Sequence, residues 1–155
     1  MKALYLFNFT KYVEWPDAAF ADTNSSYTIG IAGAEQIYND LQALTEGKVV
    51  NGRKLVIQHI ERADDAKKCQ IVYLGRVSEK LAAGMLEAVK GAPILTVGEQ
   101  EGFLSQGGIV RFAREENKLR LEIDLDASHE AHLNVSARLL PIAKVIRKPH
   151  PPSTN

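Results

Sequence analysis

Short apolar runs ending in glycine or turn residues alternate with stretches of helical period, and this alternation restricts the fold more than any other feature. Residues 27–33 (YTIGIAG), 53–60, 70–74 (QIVYL) and 93–97 read as strands. Between them, residues 35–45 place Ile37, Leu41 and Leu44 on one helical face, residues 63–68 make a helical turn, and Ser78 caps a helix that runs to about residue 90. Strands that alternate with helices point to a parallel sheet with crossover helices. Gly47 and Gly91 stand where helix ends need them, and Asn51-Gly52 is a hairpin turn signal. Residues 108–114 and 118–124 flank Glu115-Glu116-Asn117 and read as an antiparallel hairpin. Residues 126–132 and 136–146 read as closing helices, the second kinked or delayed by Pro141. The expected fold class is α/β, a mostly parallel mixed sheet with a C-terminal antiparallel hairpin and helices on both faces. At 155 residues this is one domain, expected over residues 1–148, with 149–155 as a flexible tail.

The chain opens on a helical pattern over residues 2–13. Leu6, Phe9 and Val13 follow the i, i+3, i+7 spacing with Ala3, Phe7 and Thr10 beside them, and Trp15-Pro16 ends the run. Residues 17–26 are small and polar and read as a loop. Tyr5, Phe7, Phe9, Tyr12 and Trp15 crowd this short segment. Such a helix either is buried on most sides or faces a partner, because aromatic residues are enriched at the centres of interfaces.

Nineteen basic and nineteen acidic residues cancel, and the isoelectric point is about 6.9, which argues against nucleic acid as the main partner, since a protein that binds a phosphate backbone needs a basic face. Searching for chemistry gives no constellation of catalytic type. Gly30-Ile31-Ala32-Gly33 lies between a strand and a helix but matches no phosphate-loop pattern and reads as a tight turn. His129 and His132 are spaced as two ligands on a helix, short of the three or four that zinc takes, and read as a surface pair. Cys69 opens an apolar strand and reads as a small core residue. As the single cysteine it has no internal disulfide partner. Ser78 and Ser136 read as helix caps, and Glu122 and Asp124 share the polar face of one strand. The expectation is a protein that is not an enzyme, with no metal, cofactor or catalytic residue.

Five segments in register resemble the YfiR family. They are the opening Ala3, Leu6, Asn8, Phe9, Lys11, Tyr12, Trp15 and Pro16; residues 47–53 (GKVVNGR) before an apolar strand; residues 69–74 with Ser78-Glu79; residues 93–97 with Gly102-Phe103 and Gly107-Gly108; and residues 121–125 with Leu133 and Leu139-Leu140. The resemblance implies a periplasmic protein exported with a cleaved leader. It implies a repressor that binds the periplasmic part of a membrane-bound diguanylate cyclase and holds cyclic di-GMP synthesis off, which disfavours biofilm. It also implies a homodimer and sequestration by an outer-membrane lipoprotein resembling YfiB. The position of Cys69 can be disulfide-bonded in the family, with further cysteines after the Gly107-Gly108 position, and this chain lacks them.

On this reading Tyr5, Tyr12, Trp15, Glu122 and Asp124 are expected to contribute to a partner or dimer surface. The alternative is a periplasmic small-molecule sensor feeding another signalling receptor. Its cleft would be rimmed by Gly33-Ala34, Gly75-Arg76 and Gly98-Glu99, because parallel sheets bind ligands beyond the carboxyl ends of their strands. A hydrolase using His129, His132 or Cys69 is the third possibility.

Overall fold

The computed structural model describes residues 1–139, 141 and 143–146. Helix α1 (Lys2–Tyr12) leads into a two-residue strand β1 (Val13–Glu14) and a 3-10 turn at Asp17–Ala19. There follow β2 (Tyr27–Ala32), α2 (Glu35–Thr45), β3 (Val49–Val50), β4 (Arg53–His59), α3 (Ala63–Ala66), β5 (Ile71–Leu74), α4 (Glu79–Ala88) and β6 (Leu95–Gly98). The chain closes with β7 (Val110–Glu115), β8 (Lys118–Asp124), α5 (Leu125–Glu130), β9 (Asn134–Val135) and β10 (Ala143–Ile146).

Among the described residues the main sheet has eight strands in the order β10-β8-β7-β6-β5-β2-β4-β3. The five central strands from β7 to β4 run parallel, β8 turns back antiparallel to β7, and β3 turns back on β4. The expected α/β class, the mostly parallel mixed sheet and the antiparallel hairpin are all present.

The central strands are buried on both faces, as parallel strands between helical layers must be. Period-two alternation then sorts their side chains. Tyr27, Ile29, Ile31, Ile71, Tyr73, Leu95 and Val97 join Leu6, Phe7 and Phe9 of α1 and Leu41 of α2 in one core. Ala32, Val72 and Leu74 join Ala66 of α3 and Ala82, Met85 and Leu86 of α4 in a second core on the other face. Ser78 caps α4 as expected, its hydroxyl accepting from the Leu81 amide at 3.1 Å.

One expectation fails. The closing helix over 136–146 is absent: residues 143–146 form strand β10, which lies parallel to β8 with Ala143 opposite Leu121 and Ile146 opposite Asp124. Pro141 supplies no amide for a helical ladder, a proline disfavours helical angles in the residue before it, and Val145 and Ile146 are β-branched. The expected tail, residues 149–155, lies outside the described residues. A second sheet also escaped the sequence: β1 pairs antiparallel with β9, and the Ser136 amide donates to the Tyr12 carbonyl at 2.7 Å, fastening the end of α1 to the segment after α5.

The turn from β6 to β7 is held by one ring. Phe103 is buried between Gly98 and Gly108, and a Cβ at Gly98 would meet that ring at 2.6 Å while one at Gly108 would come closer still. Gly108→Ala is therefore expected to destabilise the fold by about 1–3 kcal/mol through overpacking. In a Phe103→Leu background the same change should cost less, which a denaturant double-mutant cycle measures. Equal costs in both backgrounds would show that the ring is not what excludes a side chain there.

Candidate functional site

The connections reverse direction between β2 and β5. From β2 the chain moves outward through α2 to β4, then crosses back through α3 to β5 and onward through α4 to β6. Open α/β sheets form a crevice beyond the carboxyl ends of the strands at such a switch point. The turns after β2 and β5 are joined by backbone at this place: the Gly75 amide donates to the Ala32 carbonyl and the Arg76 amide to the Gly33 carbonyl, both at 2.8 Å. The closeness demands glycine. A Cβ at Gly75 would stand 2.6 Å from the Gly33 oxygen, and Gly33 has φ +68°, where a side chain is strained. Gly30, the other glycine of that run, lies over the Cys69 sulfur and Ile60, with no room for a Cβ. Both glycines thus serve packing and the turn, as the sequence suggested.

Above this junction opens a crevice of about 930 Å³. Its walls are the first turns of α1 and α2, the turns after β5 and β6, and the hairpin between β7 and β8. Gly33, Ala34, Arg76 and Glu99, four of the six residues expected to rim a cleft, line it. The sequence did not single out Lys2, Arg114 or Lys118, which line it too. They come from chain segments about a hundred residues apart, and no local pattern links them.

Glu99 organises one wall. Its two carboxylate oxygens accept from the Lys2 ammonium and from the Tyr73 hydroxyl. Burial, then the hydrogen bond to Glu99 and its negative charge, push the Tyr73 hydroxyl far above the usual phenol range, so it remains a donor. The rim turns are cross-linked. Gln100 Nε2 donates to the Val77 carbonyl at 3.1 Å, Arg111 Nε donates to the Gln100 carbonyl at 2.9 Å, and Arg111 Nη1 reaches Glu122 Oε1 at 3.0 Å.

The other residues singled out from sequence are dispersed. Tyr5 is half-buried, tilted against Phe112 with centroids 6.0 Å apart, and forms part of the crevice wall. Tyr12 and Trp15 are half-buried at the far end of α1, where the Trp15 indole donates to the Gln70 carbonyl at 3.1 Å and stands edge-on to Tyr27. Glu122 is engaged by Arg111, and Asp124 is fully buried with its Oδ1 capping α5 at the Ala127 amide. Of these five, Asp124 is fully buried and the other four are half-buried. His129 and His132 are exposed at the end of α5, Cys69 is buried, and among the described residues no three His, Cys, Asp or Glu side chains gather as a metal site needs.

The YfiR/HmsC-like family model matches residues 1–144. The chain belongs to the YfiR/HmsC-like family. It is a family of periplasmic regulators. No curated protein matches the chain. Among solved structures, it is similar to an ABC domain in complex with L-Trp from Streptococcus pneumoniae, at TM-score 0.55 and 10% identity over 77% of this chain and 55% of that one. It is also similar to a conserved domain protein from Vibrio cholerae O1 biovar El Tor, at TM-score 0.55 and 16% identity over 78% of this chain and 54% of that one. The chain spans about half the length of these two proteins, and at such identities the likeness is one of α/β fold. Among the described residues no helix is long and apolar enough to cross a membrane.

Cys69 departs from the redox chemistry that the family resemblance implies. Burial, reinforced by the charge of Asp65 and opposed by a backbone hydrogen bond from Gly30, pushes its thiol from 9.0 up to about 11. An acid whose pKa is raised on folding stabilises the native state while it stays protonated, and this contribution fades as pH rises from about 9 towards 11. The linkage amounts to roughly 1.4 kcal/mol per pKa unit at most. Native protein is expected to resist thiol reagents at neutral pH and to lose stability across that window. Cys69→Ala should flatten the loss, as urea midpoints collected against pH would show; an unchanged slope would mean that other groups carry it.

Proposed function

We propose that this chain is a periplasmic regulatory binding protein that docks on the periplasmic part of a membrane-bound diguanylate cyclase and represses cyclic di-GMP synthesis. The observation that carries this reading is the family match over residues 1–144. Repression of this kind requires no active site. A binder shifts a two-state receptor only through its different affinity for the two states, and a rigid surface suffices for that.

The fold lends support through α1, which is packed between sheet and α2 yet leaves Leu4 45% exposed and Tyr5 and Tyr12 partly open. Aromatic anchors already held by packing lose little freedom on docking. Tyr5, Tyr12 and Trp15 then contribute their open edges to partner or dimer contacts. Glu122 and Asp124 act on that surface by holding β8 and α5 in place. Further partners on this reading are a second copy of the chain and an outer-membrane lipoprotein resembling YfiB.

Titration against the periplasmic segment of a membrane-bound diguanylate cyclase from the same genome should give micromolar or tighter affinity. Tyr12→Ala, at a residue with an open edge, should weaken it by about tenfold, the effect of an interface residue worth more than 1 kcal/mol. Trp15→Phe, which keeps the ring and removes the donor to Gln70, separates contact from folding when read beside the thermal midpoint. A folded, monodisperse protein that does not bind the segment sinks the cyclase reading.

A further inference from the structure

We propose that the crevice at the β2–β5 junction binds a small organic anion with an apolar body, its acidic group held by Arg76 and Arg114. The charge of the lining points to an anion. Lys2 and Glu99 neutralise one another. Arg76, Arg114 and Lys118 make no ion pair among the described residues, so three cations face the crevice with their charge uncommitted. The two remaining acids of the lining lie on α2, Glu35 at 3.7 Å from His59 Nδ1 and Asp40 accepting from the neutral Gln36 amide at 2.8 Å; with them counted, the lining side chains carry four cations, Lys2, Arg76, Arg114 and Lys118, against three carboxylates, Glu35, Asp40 and Glu99, so the excess is positive by one charge.

A second observation agrees. The first turn of α2 opens into the crevice, and its cap residue, Ala34, supplies no side-chain acceptor for the free amides. Those amides and the helix dipole favour negative charge at that spot. The apolar half of the ligand has its own wall in Tyr5, Ile37 and Leu119. At about 930 Å³ the space is of the size that small-molecule sites occupy. The rim is fixed in advance: β2 and β5 are joined by backbone, and Gln100 and Arg111 cross-link the other turns. A ligand would bind without ordering loops, which removes one of the usual costs of association.

The test compares two probes of equal shape, 3-phenylpropionate and its neutral amide, by calorimetric titration of the full chain. The carboxylate should bind with a Kd below about 1 mM, and the amide at least about tenfold more weakly. Arg76→Gln and Arg114→Gln should each weaken the carboxylate by about tenfold while leaving the thermal midpoint of the free protein in place, since both side chains are exposed and unpaired. Leu119→Asp should abolish binding of both probes. No binding of the carboxylate up to about 10 mM overturns the proposal. Equal affinity for acid and amide overturns the anion assignment, and affinity untouched by all three substitutions places the probe elsewhere and overturns the site. None of these outcomes depends on whether the cyclase segment binds.

Discussion

The carboxyl edge of the sheet depends on how closely β2 and β5 come together. The turns that follow them share two backbone hydrogen bonds, and only glycine fits at residues 33 and 75. Just after the Gly33 turn α2 begins, and its first turn lines the crevice. The turn after β5 then points Arg76 towards the same space, and the turn after β6 is tied to it through Gln100. The crevice follows from backbone closure at the switch point, and two residues of its lining, Gly33 and Asn117, take the positive φ that its turns require.

The amino-terminal helix answers the question its composition raised. Phe112 on β7 lies within about 6 Å, centroid to centroid, of Tyr5, Phe9 and Tyr73. Trp15 and Phe20 meet Tyr27 edge-on. Most of the aromatic surface of this segment is therefore spent on the core, which takes the face of α1 that carries Ala3, Leu6, Phe7, Phe9 and Thr10, while Leu4, Asn8 and Lys11 lie on its open side. What the sequence presented as a choice between core and interface resolves unevenly: Phe7 and Phe9 are buried, while Tyr5, Tyr12 and Trp15 keep an open edge.

Elements with a strong local signal were legible. Residues 35–45 show a clean apolar stripe and form α2 over that range, and the Asn51-Gly52 turn and the hairpin around residues 115–117 stand where turn chemistry put them. The failures share a physical cause. Strand β10 carries too short a pattern to be told from a helical segment, and its identity is decided by the free edge of β8 that it covers. The pairing of β1 with β9 joins two-residue strands more than a hundred positions apart. In the crevice the glycine-ended strands showed three of the turns, since a rim made of strand ends is a topological consequence. The bridge from Lys2 through Glu99 to Tyr73 was invisible, because it depends on where α1 docks rather than on any spacing along the chain.

That bridge joins two regions with different roles. Lys2 belongs to the first turn of α1, Tyr73 to the middle of the sheet, and Glu99 to the turn that walls the crevice. Salt bridges at half-exposed sites contribute little stability by themselves, so the value of this one lies in position. It pins the start of α1 against β6, while β1 and β9 pin its end. A helix held at both ends moves with the sheet as one body, and a partner that docks on α1 meets a surface whose shape is already set. Control of such a protein cannot run through a disulfide within these 155 residues, because Cys69 is single, buried and held protonated. On the readings proposed above, binding equilibria take that role, at the open edge of α1 and at the crevice beside its amino end.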